Sequence, residues 1–123
     1  MYNKALNLYK ATNNKKGQAE IFGAIGHLYE KHHKYDSSFY YQRLALNSYQ
    51  RIGDDYGQAK IYENLGSIHE DLANYDSSYS CFKKSLEIYN KYNNEVASIE
   101  VINNIGDILR KTGKYEEGIY TIA

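Results

Sequence analysis

The side chains that could do metal or acid–base chemistry are four histidines, one cysteine and scattered carboxylates. His27, His32, His33 and His69 include no pair at the i, i+4 spacing that sets two ligands on one helix face. No native metal site is expected from them, and His69 reads as a partly buried packing residue. His27 and Glu30 share a helix face, but nothing encloses them so as to tune an acid–base pair. A lone Cys81 excludes a disulfide framework or a cysteine metal cage within the chain. It reads as a small hydrophobe on a helix. No glycine-rich phosphate loop and no nucleophile elbow follows a strand, since no strand is expected. The expectation is a protein that is not an enzyme and takes no cofactor.

Bulk composition narrows the partners. Fifteen Lys plus Arg balance fifteen Asp plus Glu, so the net charge is zero. A neutral chain lacks the charge excess that drives binding to nucleic acid or an anionic membrane. With 42% hydrophobic residues and no long apolar run, no membrane span is expected. One cysteine and no visible signal segment favour the cytoplasm. The 123 residues suffice for one domain. They contain no Pro, and 15 Tyr against 3 Phe and no Trp, which suggests helices with short joints and tyrosine-rich packing.

The elements that must position any functional residue come from an internal repeat. Shifted by 40 residues, the chain meets itself without a gap. Gly26, Gly66 and Gly106 align, as do Tyr35, Tyr75 and Tyr115, and Leu6, Leu46 and Leu86. Tyr35-Asp36-Ser37-Ser38 returns as Tyr75-Asp76-Ser77-Ser78. Within each unit the apolar residues fall at three- and four-residue steps, as in Ile61, Leu65, Ile68 and Leu72. A short polar joint follows, and then a second stripe opens with an acid, Asp36, Asp76 or Glu116, at the positive end of the helix dipole. The pattern predicts helices near 2–13, 17–32, 35–52, 56–72, 75–92, 95–112 and 115–123. Short joints make neighbours antiparallel hairpins.

These residues resemble the tetratricopeptide repeat family, in the 40-residue variant seen in kinesin light chains and many bacterial regulators. The carriers are Phe22, Ile25-Gly26 and Tyr29, then Tyr62, Leu65-Gly66 and His69, then Ile102, Ile105-Gly106 and Leu109. Small residues stand twelve positions after each glycine, at Ser38, Ser78 and Gly118, where the family brings two helices close. The usual Pro after the second helix is missing, and the large aromatic of that helix is Gln42, Phe82 and Ile122 in turn. The resemblance implies one all-α domain over 1–123, a right-handed superhelical solenoid of about seven helices with the last truncated. It divides into a second-type helix at 2–13, repeats at 17–52 and 56–92, and a partial repeat at 95–123. That phase leaves Leu6, Leu8 and Tyr9 at one end, and Ile119, Tyr120 and Ile122 at the other, as exposed apolar stripes. A fragment of a longer array is the expectation.

In the family the first helix of each hairpin lines a concave groove. Carried over through the aligned glycines, the groove residues are His27, Glu30, Lys60, Glu63, Asn64, Ser67, Glu70, Asn103, Asn104, Asp107 and Arg110. Glu20, Gly23, Ala24, Lys31, Asp71, Glu100 and Lys111 complete the face. Acids outnumber bases there by seven to four, so a basic or neutral peptide is the natural guest. In the relatives an Asn at Asn64 and Asn104 bonds the guest's backbone. An amide can do so because it both donates and accepts. Ala24 breaks that ladder in the first unit. Glu63 and Asp107 would repel the C-terminal carboxylate that chaperone adaptors grip. The resemblance thus implies a protein–protein interaction module holding an extended or helical partner segment. The alternative is a self-assembling spacer whose exposed end helices make a homo-oligomer.

Overall fold

The computed structural model describes residues 14–113. Within them lie α1 (Lys15–Lys31), α2 (Tyr35–Arg51), α3 (Asp55–Asp71), α4 (Tyr75–Lys91) and α5 (Glu95–Thr112). The expected helices at 2–13 and 115–123 fall outside the described residues.

The 40-residue period has a simple physical origin. Each of α1 to α4 is 17 residues long, and the same three-residue joint follows each. At the first joint the N–H of His33 donates to the Glu30 carbonyl at 2.9 Å, and that of Lys34 to the Tyr29 carbonyl at 2.9 Å. This pair of reversed bonds satisfies carbonyls that the helix end would leave orphaned. The joints after Arg51, Asp71 and Lys91 repeat it through Asp54 to Tyr49, Asn74 to His69 and Asn94 to Tyr89. The geometry requires a left-handed residue in each joint. His33, Gly53, Ala73 and Asn93 occupy it, and Gly113 takes the same conformation after α5.

First-type helices also start alike. The side chains of Asn14, Asp54 and Asn94 accept from the N–H of Gly17, Gly57 and Ala97 at 2.8, 2.9 and 3.1 Å. Each satisfies one of the four free N–H groups of a helix start. The Asn14 cap explains why α1 begins at Lys15 rather than at the predicted 17. The second-type helices have no side-chain cap and rely on Asp36 and Asp76 in the first turn.

Packing follows the hairpin order. α1 pairs with α2, α3 with α4, and each second-type helix also packs against the next first-type helix. The result is an all-α solenoid with α1, α3 and α5 in one layer and α2 and α4 in the other. Two apolar clusters form the core. One joins Ala19, Ala45, Tyr49, Ile61, Leu65 and Ile68 around α2. The other joins Ala59, Phe82, Tyr89, Val101, Ile105, Ile108 and Leu109 around α4.

The paired helices are also bonded across their closest approach. Ser38 Oγ donates to the Gly26 carbonyl at 2.6 Å, and Ser78 Oγ to the Gly66 carbonyl at 2.7 Å, both buried. The small residue therefore does more than allow contact, because its hydroxyl takes a second bond on a helix carbonyl. A Cβ on Gly26 would stand 2.8 Å from Gln42 Nε2, and one on Gly66 2.8 Å from the Phe82 ring.

Candidate functional site

The candidate groove residues all lie on α1, α3 and α5. They form one layer because residues 40 apart occupy equivalent helix positions. The structure ties this layer together with polar bonds between successive repeats. Ser67 Oγ donates to Glu30 Oε2 at 2.6 Å, and Lys111 Nζ donates to Glu70 Oε2 at 2.6 Å. Further out, Tyr35 donates to Asp71 at 3.5 Å.

Many of the face's charges are thereby engaged. Lys60 stands 3.5 Å from Glu63, Lys111 pairs with Glu70, and Arg110 pairs with Asp107 on the same helix. Glu63 also accepts from the Tyr89 hydroxyl at 3.3 Å. Burial, reinforced by that carboxylate, pushes the Tyr89 hydroxyl well above its ordinary range. The Glu30 side chain is only 10% exposed and stands 3.6 Å from His27 Nδ1. Of the seven acids and four bases, Glu20, Asp71 and Glu100 on one side and Lys31 on the other have no ion-pair partner among the described residues.

Asn64 is half-buried and donates through Nδ2 to Gln42 Oε1 at 3.4 Å. Gln42 is fully buried and donates in turn to the Gly23 carbonyl at 3.2 Å. This chain of amides orients Asn64. Asn104 is half-buried at the equivalent place on α5, and Asn103 is exposed beside it.

Between α1 and α3 the face opens into a cleft of about 300 Å³. Its walls include Glu20, Gly23, Ala24, His27, Lys60 and Asn64, six residues that the sequence placed on this face, together with Ala19, Ile61 and Tyr49. Gly23 and Ala24 make the opening, since the matching positions of the next unit hold the larger Glu63 and Asn64. Glu70, Asn103, Asn104, Asp107 and Arg110 lie further along the layer and do not line it.

The residues that might have done chemistry settle elsewhere. His69 packs its ring against Phe39 at 5.0 Å, with Nδ1 buried and unpartnered. Burial, together with Arg43, holds its pKa below the ordinary histidine value. Cys81 packs beside the first cluster, and burial pushes its thiol up, away from the reactive thiolate. Among the described residues no group of three His, Cys, Asp or Glu side chains is placed to hold a metal ion. No described helix is long and apolar enough to cross a membrane.

The tetratricopeptide repeat family matches residues 57–119, just over half of the chain. The chain belongs to that family. Its structure is similar to the crystal structure of BtubC (BKLC) from P. vanneervenii, with a TM-score of 0.84 at 17% identity, over 97% of this chain and 50% of that one. At that identity the likeness is one of fold alone, and this tetratricopeptide repeat chain spans half the length of that protein. No curated protein matches it. The tetratricopeptide fold is a typical non-enzymatic protein–protein interaction fold, and the chain has it through its family.

Sequence reasoning missed the bonds between repeats and the Gln42 amide chain. Ser67 and Glu30 are 37 positions apart, a spacing set by how repeats stack rather than by any helix period. Sequence reasoning also passed over the Asx caps at positions 14, 54 and 94, which a signal in the sequence could have found, since they recur at the repeat period in front of each apolar stripe.

Proposed function

We propose that the layer of α1, α3 and α5 is a groove that holds an extended or helical segment of a partner protein, basic or neutral in charge. The single observation that carries this reading is the cleft between α1 and α3, with Asn64 held at its edge by Gln42. A pre-oriented amide beside an apolar recess is what backbone capture with side-chain selection needs. Asn104 extends the ladder along α5, and Glu63, Asn103 and Asp107 flank it. First-type helices beginning at residues 15, 55 and 95 support the 40-residue variant of the family. The test is capture from a lysate of the source organism, with Asn64→Ala/Asn104→Ala as the comparison. Proteins held by the chain and lost by the variant support the groove, and the same set held by both contradicts it.

A second reading rests on α5. Val96 is 71% exposed and Ile99 57%, although Ala59, at the position matching Ile99, is fully buried beneath α4. Among the described residues a Cβ on Gly106 would meet only Arg110, at 3.7 Å. An open apolar face of this kind suits self-association. Sedimentation of Val96→Glu/Ile99→Glu checks it: a dimer lost in the variant supports this reading, and a monomeric parent chain rules it out.

A further inference from the structure

The repeat is broken at one place in the groove, and the break leaves specific groups without a protein partner among the described residues. In the second unit the hydroxyl of Tyr89 reaches the Glu63 carboxylate. In the first unit the matching tyrosine is Tyr49, and Gly23 stands where Glu63 would be. The Tyr49 ring is buried, and its hydroxyl has no hydrogen-bond partner among the described residues. Burial, with the carboxylates of Glu20 and Asp54 nearby, pushes that hydroxyl up to about 12.

The charges around the cleft point the same way. Lys60 is turned to Glu63, and His27 to Glu30. Glu20 is the one lining charge with no partner among the described residues. The deeper wall is apolar, from Ala19, Gly23, Ala24 and Ile61. An apolar recess of about 300 Å³ is small for a free ligand and suits one long side chain. A carboxylate and a neutral phenol at its edge accept hydrogen bonds and select a cation.

We propose, building on the peptide-groove reading, that this cleft is an arginine pocket, with the guest's methylene stem against Ile61 and Ala19 and its guanidinium on Glu20 and the Tyr49 hydroxyl oxygen. A long cationic side chain buries its stem while its head stays at a polar edge. The planar fork of arginine serves two acceptors at once, which the ammonium of lysine does less well. Gly23 and Ala24 are then specificity residues: they make room that Glu63 and Asn64 deny in the next unit.

The test uses the whole chain, immobilised, and four pools of nine-residue peptides. The central residue is fixed as Arg, Lys, citrulline or Leu, and the other positions are randomised. The arginine pool is retained about tenfold better than the citrulline and leucine pools, with lysine between. Glu20→Gln removes the difference between arginine and its neutral isostere citrulline. Ala24→Leu, which fills the recess from a half-exposed position, brings arginine down to the level of the others at an unchanged circular dichroism spectrum. Equal retention of all four pools, a leucine preference, or an arginine preference that survives Glu20→Gln overturns the pocket. The Asn64→Ala/Asn104→Ala variant separates the two readings. If all pools bind alike and this variant loses them, the groove stands and the arginine pocket falls. If the arginine preference persists in it, the pocket stands and the amide ladder falls.

Discussion

Ser67 on α3 donates its hydroxyl to the Glu30 carboxylate on α1 at 2.6 Å, joining the first helices of two successive repeats at a point where Glu30 is almost wholly buried. A hydrogen bond to a charged, desolvated acceptor is among the stronger polar contributions to stability. Ser67→Ala leaves that carboxylate short of a donor and costs about 2 kcal/mol by chemical denaturation. In Glu30→Gln the same serine substitution costs less than half as much, and the double-mutant cycle measures the coupling. An equal cost in both backgrounds assigns the effect to local packing instead.

Two glycines at matching positions answer differently to one methyl group. Gly66→Ala pushes a Cβ to 2.8 Å from the buried Phe82 ring and loses about 2 kcal/mol. Gly26→Ala meets the Gln42 side chain at 2.8 Å, an unbranched chain that shifts where a ring does not, and loses about 1 kcal/mol. Thermal melts should fall for both variants, and further for Gly66→Ala.

Ala73 holds a left-handed conformation, φ 60°, in the joint between α3 and α4. A Cβ is penalised there, and glycine is not. Ala73→Gly raises stability by about 1 kcal/mol, and Gly53→Ala at the equivalent joint lowers it by a similar amount. Urea unfolding midpoints with unchanged slopes check both.

Burial, and then Arg43, disfavour the charged form of His69, so its folded pKa lies below the ordinary histidine value. The unfolded chain therefore takes up the proton first. The neutral side chain's contribution is fully present above the ordinary histidine pKa of about 6.5 and is lost as pH falls below it, until the depressed folded value is passed. Leu109 occupies the same position in the third unit and is buried. His69→Leu removes an orphaned buried nitrogen, raises stability by about 1 kcal/mol, and flattens the decline between pH 7 and 5. Unfolding free energies of the two proteins across that range decide it.

Most of the architecture could be read from the letters. Gly26, Gly66 and Gly106 set the register, and the apolar stripes placed all five described helices to within two residues of their observed ends. Residue type favours a left-handed joint at Gly53, Gly113 and Asn93, less so at His33, and gives no sign of one at Ala73. The face carrying Glu20, His27, Lys60 and Asn64 was also legible, because helix periodicity fixes which residues share a side. Which charges on it remain unpaired was not. The pairing of Lys111 with Glu70 crosses 41 residues and depends on the offset between stacked helices. The cleft itself follows from a difference between repeats, Gly23-Ala24 against Glu63-Asn64, and a period draws the eye to what is the same.

The central claim is that a partner's backbone is held on the layer of α1, α3 and α5 by the Asn64 and Asn104 amides. The direct measurement is nitrogen-15 NMR of the labelled chain while a captured partner segment is titrated in. The account predicts that the Asn64 and Asn104 side-chain amides shift together with backbone amides around Gly23 and Lys60, and that Asn64→Ala/Asn104→Ala weakens the titration at least tenfold. Shifts confined to α2 and α4, or to Val96 and Ile99 on the open face of α5, with an unchanged affinity in the double variant, would contradict it.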